Sequence, residues 1–273
     1  MKVTIVGCGW LGLPLGEQLV QKGFQVAGST TQAAKLGLLE TKGITAFQLN
    51  LANVVTGSEG WKVFFAADVL IINIPPGRAK PADLALFPHK VQLLVNAAFE
   101  QGMQKIIFTS TTGVYGAATG IVDESVSPQP DTASGKAVFE AEQWLLSQKN
   151  LQVSILRLAG LVGGERHPGR FLAGKKDIPN PEAPVNLVHR EDVIAAITHL
   201  LENPFWGKIY NICADAHPTK QAYYSWAAAQ SGLEQPSFRS ESRGEDQKRI
   251  DNKLFKQEIN FRYQYRDPFN FPL

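Results

Sequence analysis

Six residues near the start of the chain, Gly7-Cys8-Gly9-Trp10-Leu11-Gly12, have the spacing of a phosphate cradle. They follow the apolar run Val3–Val6 and open a helical pattern from Trp10 to Lys22. That strand–turn–helix setting separates a dinucleotide motif from an ordinary glycine-rich turn. Gly7 permits a tight turn, Gly9 lets the backbone approach a pyrophosphate, and Gly12 lets the helix pack closely on the strand. The helix N-terminus then offers N–H groups and the positive end of its dipole to phosphate. Trp10 and Leu11 lie inside the cradle and are assigned to cofactor binding with the three glycines. The next apolar run, Gln25–Ala27, leads into Gly28-Ser29-Thr30-Thr31, where an NAD-preferring site carries Asp or Glu against the ribose 2′-hydroxyl. No carboxylate stands there. The hydroxyls of Ser29, Thr30 and Thr31, with Lys35 nearby, suit a 2′-phosphate, which favours NADP and leaves NAD open. A further run ends in Asn73-Ile74-Pro75-Pro76-Gly77. Strand ends line the ligand crevice in such sheets, so Ile74, Pro75 and Pro76 are placed beside the cofactor; a plain Pro-Gly turn explains the same residues equally well.

The elements that must hold these residues alternate. Short apolar, β-branched runs occur at Val3–Val6, Gln25–Ala27, Ala46–Leu49, Val69–Ile74, Lys105–Thr109, Val153–Leu158 and Lys208–Ile212. Several are apolar at consecutive positions, as strands buried on both faces of a parallel sheet require. Helical patterns run from Trp10 to Lys22, from Pro88 to Gln101, from Ala133 to Gln148 and from Glu191 to Glu202, the last with Pro204 beyond it. The alternation implies an α/β fold, a doubly wound parallel Rossmann sheet with right-handed crossovers. After Leu158 the pattern loosens into loops, and Arg239–Lys256 mixes both charge signs, as a solvated surface does. Residues 1–158 are therefore expected to form the dinucleotide-binding core. Residues 159–273 are expected to form a smaller substrate lobe, interleaved with the last core strand and helix.

Composition narrows the function class. The chain has 273 residues, 44% hydrophobic and 19% charged, which excludes a disordered chain, a coiled coil and a collagen-like repeat. A net charge of +2 provides no field to recruit nucleic acid or anionic lipid. Cys8 and Cys213 are the only cysteines, too few for a disulfide scaffold. Gly7, Gly9, Gly12 and Pro14 interrupt the first apolar stretch, unlike a signal peptide, and no later run is long enough to span a membrane. A cytoplasmic protein acting on a small molecule is expected, with no nucleic-acid or membrane partner.

Three further segments carry a family resemblance: Thr109-Ser110-Thr111-Thr112-Gly113-Val114-Tyr115-Gly116, Arg157-Leu158-Ala159-Gly160-Leu161-Val162-Gly163, and Val185-Asn186-Leu187-Val188-His189-Arg190-Glu191-Asp192-Val193. In this order behind the glycine motif they resemble the extended short-chain dehydrogenase/reductase superfamily, closest to its atypical bacterial epimerase/dehydratase-like members. The resemblance implies that Thr111 hydrogen-bonds a substrate carbonyl or hydroxyl. It implies that Lys136 binds the nicotinamide ribose, and that Ala159 to Leu161 lie near the carboxamide. A homodimer is the superfamily's default assembly. Two departures stand out. Val6 occupies the place of the extended members' first glycine, and Thr132 stands four residues before Lys136, where the superfamily has its catalytic tyrosine. A tyrosine hydroxyl, with a pKa of about 10, can be tuned toward neutrality; a threonine hydroxyl cannot and would at most relay a proton through water. Tyr115 is the substitute acid to consider, against its reading as a packed structural aromatic.

The loop after the sixth strand carries Arg166, His167 and Arg170. The resemblance turns this loop toward the substrate, where arginine's fork suits the phosphates of a nucleotide-linked sugar; a solvated basic loop explains the same residues equally well. His189, at a helix start, is read as shaping that turn. His89, His199 and His217 lack metal-ligand spacing, and no metal is expected. Cys8 lies where a helix N-terminus lowers a thiol pKa, but a bound pyrophosphate would cover it. The tail aromatics Phe255, Phe261, Tyr263, Tyr265, Phe269 and Phe271 are read as closing the lobe. Together these residues point to an NAD(P)-dependent oxidoreductase or epimerase acting on a carbinol or carbonyl, with Thr111, Tyr115 and Lys136 as catalytic candidates. The alternative is a non-catalytic NADP(H)-binding redox sensor, because the tyrosine is missing.

Overall fold

The computed structural model describes residues 1–51, 58–77, 84–203, 205–240 and 247–272. Pro204 and the 241–246 part of the charged tail, both named above, lie outside the described residues. Seven strands form one sheet: β1 (Lys2–Val6), β2 (Gln25–Thr30), β3 (Thr45–Gln48), β4 (Val69–Ile72), β5 (Lys105–Thr111), β7 (Gln152–Leu158) and β10 (Ile209–Ile212). Each grows out of one of the seven apolar runs. Their order is β10-β7-β5-β4-β1-β2-β3, the doubly wound arrangement in which strand order, not strand direction, reverses beside β1. The pairs β3–β2, β2–β1, β1–β4 and β4–β5 are all parallel. Apart from this sheet, β8 (Gly160–Val162) pairs parallel with β9 (Leu187–His189). Val69, Leu70, Ile71 and Ile72 of β4 are all fully buried, so an unbroken apolar run is what this position needs.

The helices are α1 (Gly12–Gln21), α2 (Leu36–Thr41), α3 (Glu59–Phe65), α4 (Phe87–Glu100), α5 (Ala133–Ser147), α6 (Gly169–Leu172), α7 (Arg190–Glu202), α8 (Lys220–Gln230) and α9 (Lys253–Glu258). Local chemistry starts several of them. Ser58, Thr132 and Thr219 cap α3, α5 and α8 by accepting a backbone N–H, and Pro88 sits in the first turn of α4. Among the described residues no helix is long and apolar enough to cross a membrane.

Internal contacts divide the chain into two units. The first comprises Met1–Val114, Pro130–Leu156 and Ile197–Ile209; the second comprises Tyr115–Gln129, Arg157–Ala196 and Tyr210–Leu273. The second unit has its own core of Val162, Val185, Leu187, Ala214, Tyr223 and Phe271, against which Tyr224, Trp226, Tyr265 and Phe269 pack. The tail aromatics are thus packed inside this unit. Asp192, buried at the start of α7, holds the tail by accepting the Gln264 and Tyr265 N–H groups at 2.7 and 3.0 Å.

The charged tail corrects the sequence reading. Arg249–Ile250 forms strand β11, parallel to β6 (Ile121–Val122), and Ile250, Asn252 and Phe255 are buried. Mixed charges mark a solvated segment only when no apolar or amide side chain among them is buried; here Ile250, Asn252 and Phe255 turn inward.

Candidate functional site

The register of the sheet brings the glycine motif to the strands' C-terminal edge. Val6 pairs with Ser29 on one side and Ile72 on the other, and Ile72 pairs with Phe108. Just past this line Gly7 turns at φ +102°, a conformation that favours glycine, and an added Cβ would lie 2.3 Å from the Asn73 carbonyl oxygen. A Cβ at Gly12 would lie 2.2 Å from the Gly7 carbonyl oxygen, so the first turn of α1 packs directly on the loop. Gly9 differs: an added Cβ there would meet nothing within 4 Å. No side chain caps the N-terminus of the ten-residue α1. An open backbone at Gly9 beside an uncapped helix start fits the pyrophosphate of a dinucleotide. Trp10 is half-buried and Leu11 buried behind this face.

The loop is held from both sides. The Gly7 N–H donates to Ser29 Oγ at 3.2 Å, and the Cys8 N–H to the Ser29 carbonyl at 2.7 Å. Asn73 Nδ2 donates to the Gly7 carbonyl at 3.1 Å, while Asn73 Oδ1 accepts from Thr109 Oγ1 at 3.2 Å. Ser29 was assigned to the cofactor, but it is buried and its hydroxyl shapes the loop. Thr30 Oγ1 accepts the Gln32 N–H at 3.2 Å, and Thr31 and Lys35 are exposed. Past β4, Ile74 and Pro76 are half-buried and Pro75 is exposed. Cys8 turns into the core, where a Cβ on Gly28 would lie 2.5 Å from its Sγ. Burial pushes its thiol up to about 12, the reverse of the lowering that a helix N-terminus would give.

The end of β5 spends three consecutive hydroxyls differently. Thr109 reaches Asn73, as above, and also the Ile72 carbonyl at 3.1 Å. Ser110 donates to the Glu142 carboxylate on α5, with both groups buried. Thr111, half-buried, accepts the Gly113 N–H at 3.1 Å, which leaves its own proton to donate. Helix α5 begins against this turn: a Cβ on Gly135 would lie 3.2 Å from the Gly113 carbonyl oxygen and 3.0 Å from Thr132 Oγ1. Thr132 accepts the Gly135 N–H at 3.0 Å, and Lys136 follows with its side chain exposed. The residue at the tyrosine's place is therefore a helix cap. The glycine loop, the Asn73 corner, Thr111, Thr132 and Lys136 all belong to the first unit.

Tyr115, weighed above as a substitute acid or a packed aromatic, belongs to the second unit and is enclosed there. It is 0% exposed, its O–H donates to Asn211 Oδ1, and it accepts from Arg157 Nη1, both at 2.9 Å. The guanidinium of Arg157 also lies over its ring, 4.9 Å from the centroid. Burial raises the phenol's pKa in spite of Arg157, away from the range a general acid needs. In the same unit Arg166 and Arg170 are exposed, while His167 is half-buried. His167 Nδ1 accepts the Gly169 N–H at 3.1 Å and lies 3.1 Å from Ser231 Oγ, so this ring holds the start of α6. His189 is buried between Tyr265 and Phe271, accepts the Glu191 N–H at 3.4 Å, and is kept below the ordinary imidazole pKa by burial.

Three residues escape the sequence reading although a signal is present. Glu142 interrupts the apolar stripe of Val138, Ala141 and Leu145 on α5. Arg157 is a charge set between Leu156 and Leu158 in the buried run of β7. Asn73 is the first polar residue after β4. A charge or amide set inside an apolar pattern is the mark of a buried, paired group.

Residues 7–204 match a family described as NAD(P)H-binding. The chain belongs to that NAD(P)H-binding family. Among its relatives, protein YeeZ of Escherichia coli K12 is 45% identical over 273 residues, covering all of this chain and 99% of that one. In fold, this NAD(P)H-binding chain is similar to the UDP-glucuronic acid 4-epimerase of Bacillus cereus in complex with NAD: TM-score 0.80, 18% identity, 97% of this chain and 94% of the other. It is also similar to the UDP-glucose 4-epimerase of Thermotoga maritima: TM-score 0.76, 17% identity, with the same coverage. The resemblance to extended short-chain dehydrogenases/reductases thus holds at the level of fold, and the doubly wound sheet is the one expected.

Proposed function

We propose that the protein is an NADP-preferring oxidoreductase or epimerase acting on a carbinol or carbonyl carbon, with a nucleotide-linked sugar as the substrate class. The observation that carries this reading is the open Gly9 backbone beside the uncapped start of α1, with Thr111 and Lys136 in the same unit. When bound, the nicotinamide supplies the hydride chemistry. The chain's residues do the rest. The glycine loop and α1 hold the pyrophosphate. Thr111, whose oxygen already accepts the Gly113 N–H, directs its proton to the substrate oxygen. Lys136 takes the ribose hydroxyls. Thr132, which accepts the Gly135 N–H and has Ser134 Oγ 3.4 Å away, turns its hydroxyl proton to a water that serves as proton carrier. The absence of a carboxylate after β2 and the exposed Thr31 and Lys35 support NADP over NAD. The nucleotide-sugar assignment draws on the epimerases of similar fold and on exposed Arg166 and Arg170.

A second reading, a redox sensor that binds NADP(H) without turnover, is favoured by one observation. Neither hydroxyl considered as the acid is an open tyrosine: Thr132 caps α5 and Tyr115 is buried. Titration with NADPH and NADH, followed by turnover assays on carbonyl compounds and nucleotide sugars, separates the readings. The enzyme reading expects tighter NADPH binding and a rate lost in Lys136→Ala and Thr111→Val. Tighter NADH binding overturns the cofactor preference, and tight binding with no turnover across the panel supports the sensor.

A further inference from the structure

The first unit contains a carboxylate for which the proposed chemistry has no use. Glu142 is 0% exposed on α5, among Val138, Ala141 and Leu145, and accepts the hydroxyl proton of Ser110, itself buried on β5. A buried carboxylate is costly to desolvate and is tolerated only when hydrogen-bonded. A leucine at this place would fill the stripe without that cost, so the pair calls for a reason beyond packing. Its location supplies one. Ser110 is the residue before Thr111, and Glu142 lies on the helix that carries Lys136.

We infer that Glu142 and Ser110 form a positioning pair that sets Thr111 and Lys136 relative to each other, and so shapes the nicotinamide–ribose half of the site; this rests on the cofactor-binding reading above. Helix α5 meets the end of β5 at two points. One is steric, where Gly135 abuts the Gly113 carbonyl; the other is directional, where Glu142 receives Ser110. Residues 135 and 142 are two turns apart, about 10 Å along the helix axis. The buried stripe of Ala137, Val138, Ala141 and Leu145 seats the helix, but apolar packing is non-directional. The two contacts add direction: together they select its axial position and rotation against β5, and with them the base of the Lys136 side chain. Neither Glu142 nor Ser110 touches the cofactor in this account; both act through their neighbours.

The test separates position from stability. Ser110→Ala, Glu142→Leu and the double variant are titrated with two probes. One is the intact reduced cofactor, NADPH. The other is adenosine 2′-phosphate 5′-diphosphate, which lacks the nicotinamide riboside half. Each single change removes the hydrogen bond between the two residues and lowers the thermal midpoint. The double change removes the same bond once, so its midpoint falls by less than the two single losses together. A positioning pair predicts that NADPH affinity stays about tenfold low in the double variant, while the fragment binds as in the unaltered protein. Wild-type NADPH affinity in the double variant overturns the inference, as does an equal loss for both probes. Failure of the unaltered protein to bind NADPH or NADH overturns the cofactor-binding reading itself, a different result from either.

Discussion

The Asn73 side-chain amide joins two strand ends, donating to the Gly7 carbonyl at 3.1 Å and accepting from Thr109 at 3.2 Å. The glycine loop after β1 is thereby tied to the strand that carries Thr111. Asn73→Ala removes both bonds and leaves the Gly7 carbonyl without this donor. It is expected to cost about 1–3 kcal/mol in denaturant unfolding and to weaken NAD(P)H binding in the protein that remains folded. Thr109→Val should weaken binding in the same direction. Full cofactor affinity in both variants would remove Asn73 from the account.

Tyr115→Phe distinguishes an anchor from an acid. The phenol oxygen is engaged by Arg157 and Asn211, both in the second unit. Its removal should lower stability by about 1–3 kcal/mol while any turnover by the folded fraction changes less than about threefold. A loss of about a hundredfold or more in rate with unchanged stability would restore Tyr115 as the acid.

Stability against pH should carry the mark of His189. Burial depresses its pKa in the folded state, so protons bind the unfolded chain more readily. The stabilising contribution is complete above the ordinary histidine pKa and is lost as pH falls through the folded value. His189→Asn keeps an acceptor for the Glu191 N–H and removes the titration. Chemical unfolding between about pH 7 and 5 should show a shallower fall in stability for the variant. Parallel slopes would contradict this.

The fold is more legible in the sequence than the site. Seven β-branched runs and the strand–turn–helix glycine motif are local signals, set by neighbours along the chain, and all seven runs enter the sheet. The fate of Tyr115 depends on Arg157 and Asn211, 42 and 96 residues away, and no local pattern reveals that it is enclosed. The bond by which Ser29 holds the glycine loop is hidden in the sequence for a related reason. A hydroxyl at the end of β2 looks like a ligand group until the adjacent strand brings Gly7 over it. Thr132 and Glu142 lie between these cases, since a threonine before a helix and a carboxylate in an apolar stripe are both visible without the structure.

The central claim, that the open backbone at Gly9 receives the cofactor's pyrophosphate, has a direct test. The unaltered protein, Gly9→Ala and Gly12→Ala are titrated with NADPH and NADH while their thermal unfolding is followed. A Cβ at Gly9 meets no atom of the protein within 4 Å, whereas one at Gly12 collides with the Gly7 carbonyl at 2.2 Å. The account predicts saturable binding to the unaltered protein. Gly9→Ala should unfold at an unchanged temperature and bind at least about tenfold more weakly, and Gly12→Ala should be destabilised outright. A Gly9→Ala protein that binds NADPH and NADH as tightly as the unaltered chain would contradict the account.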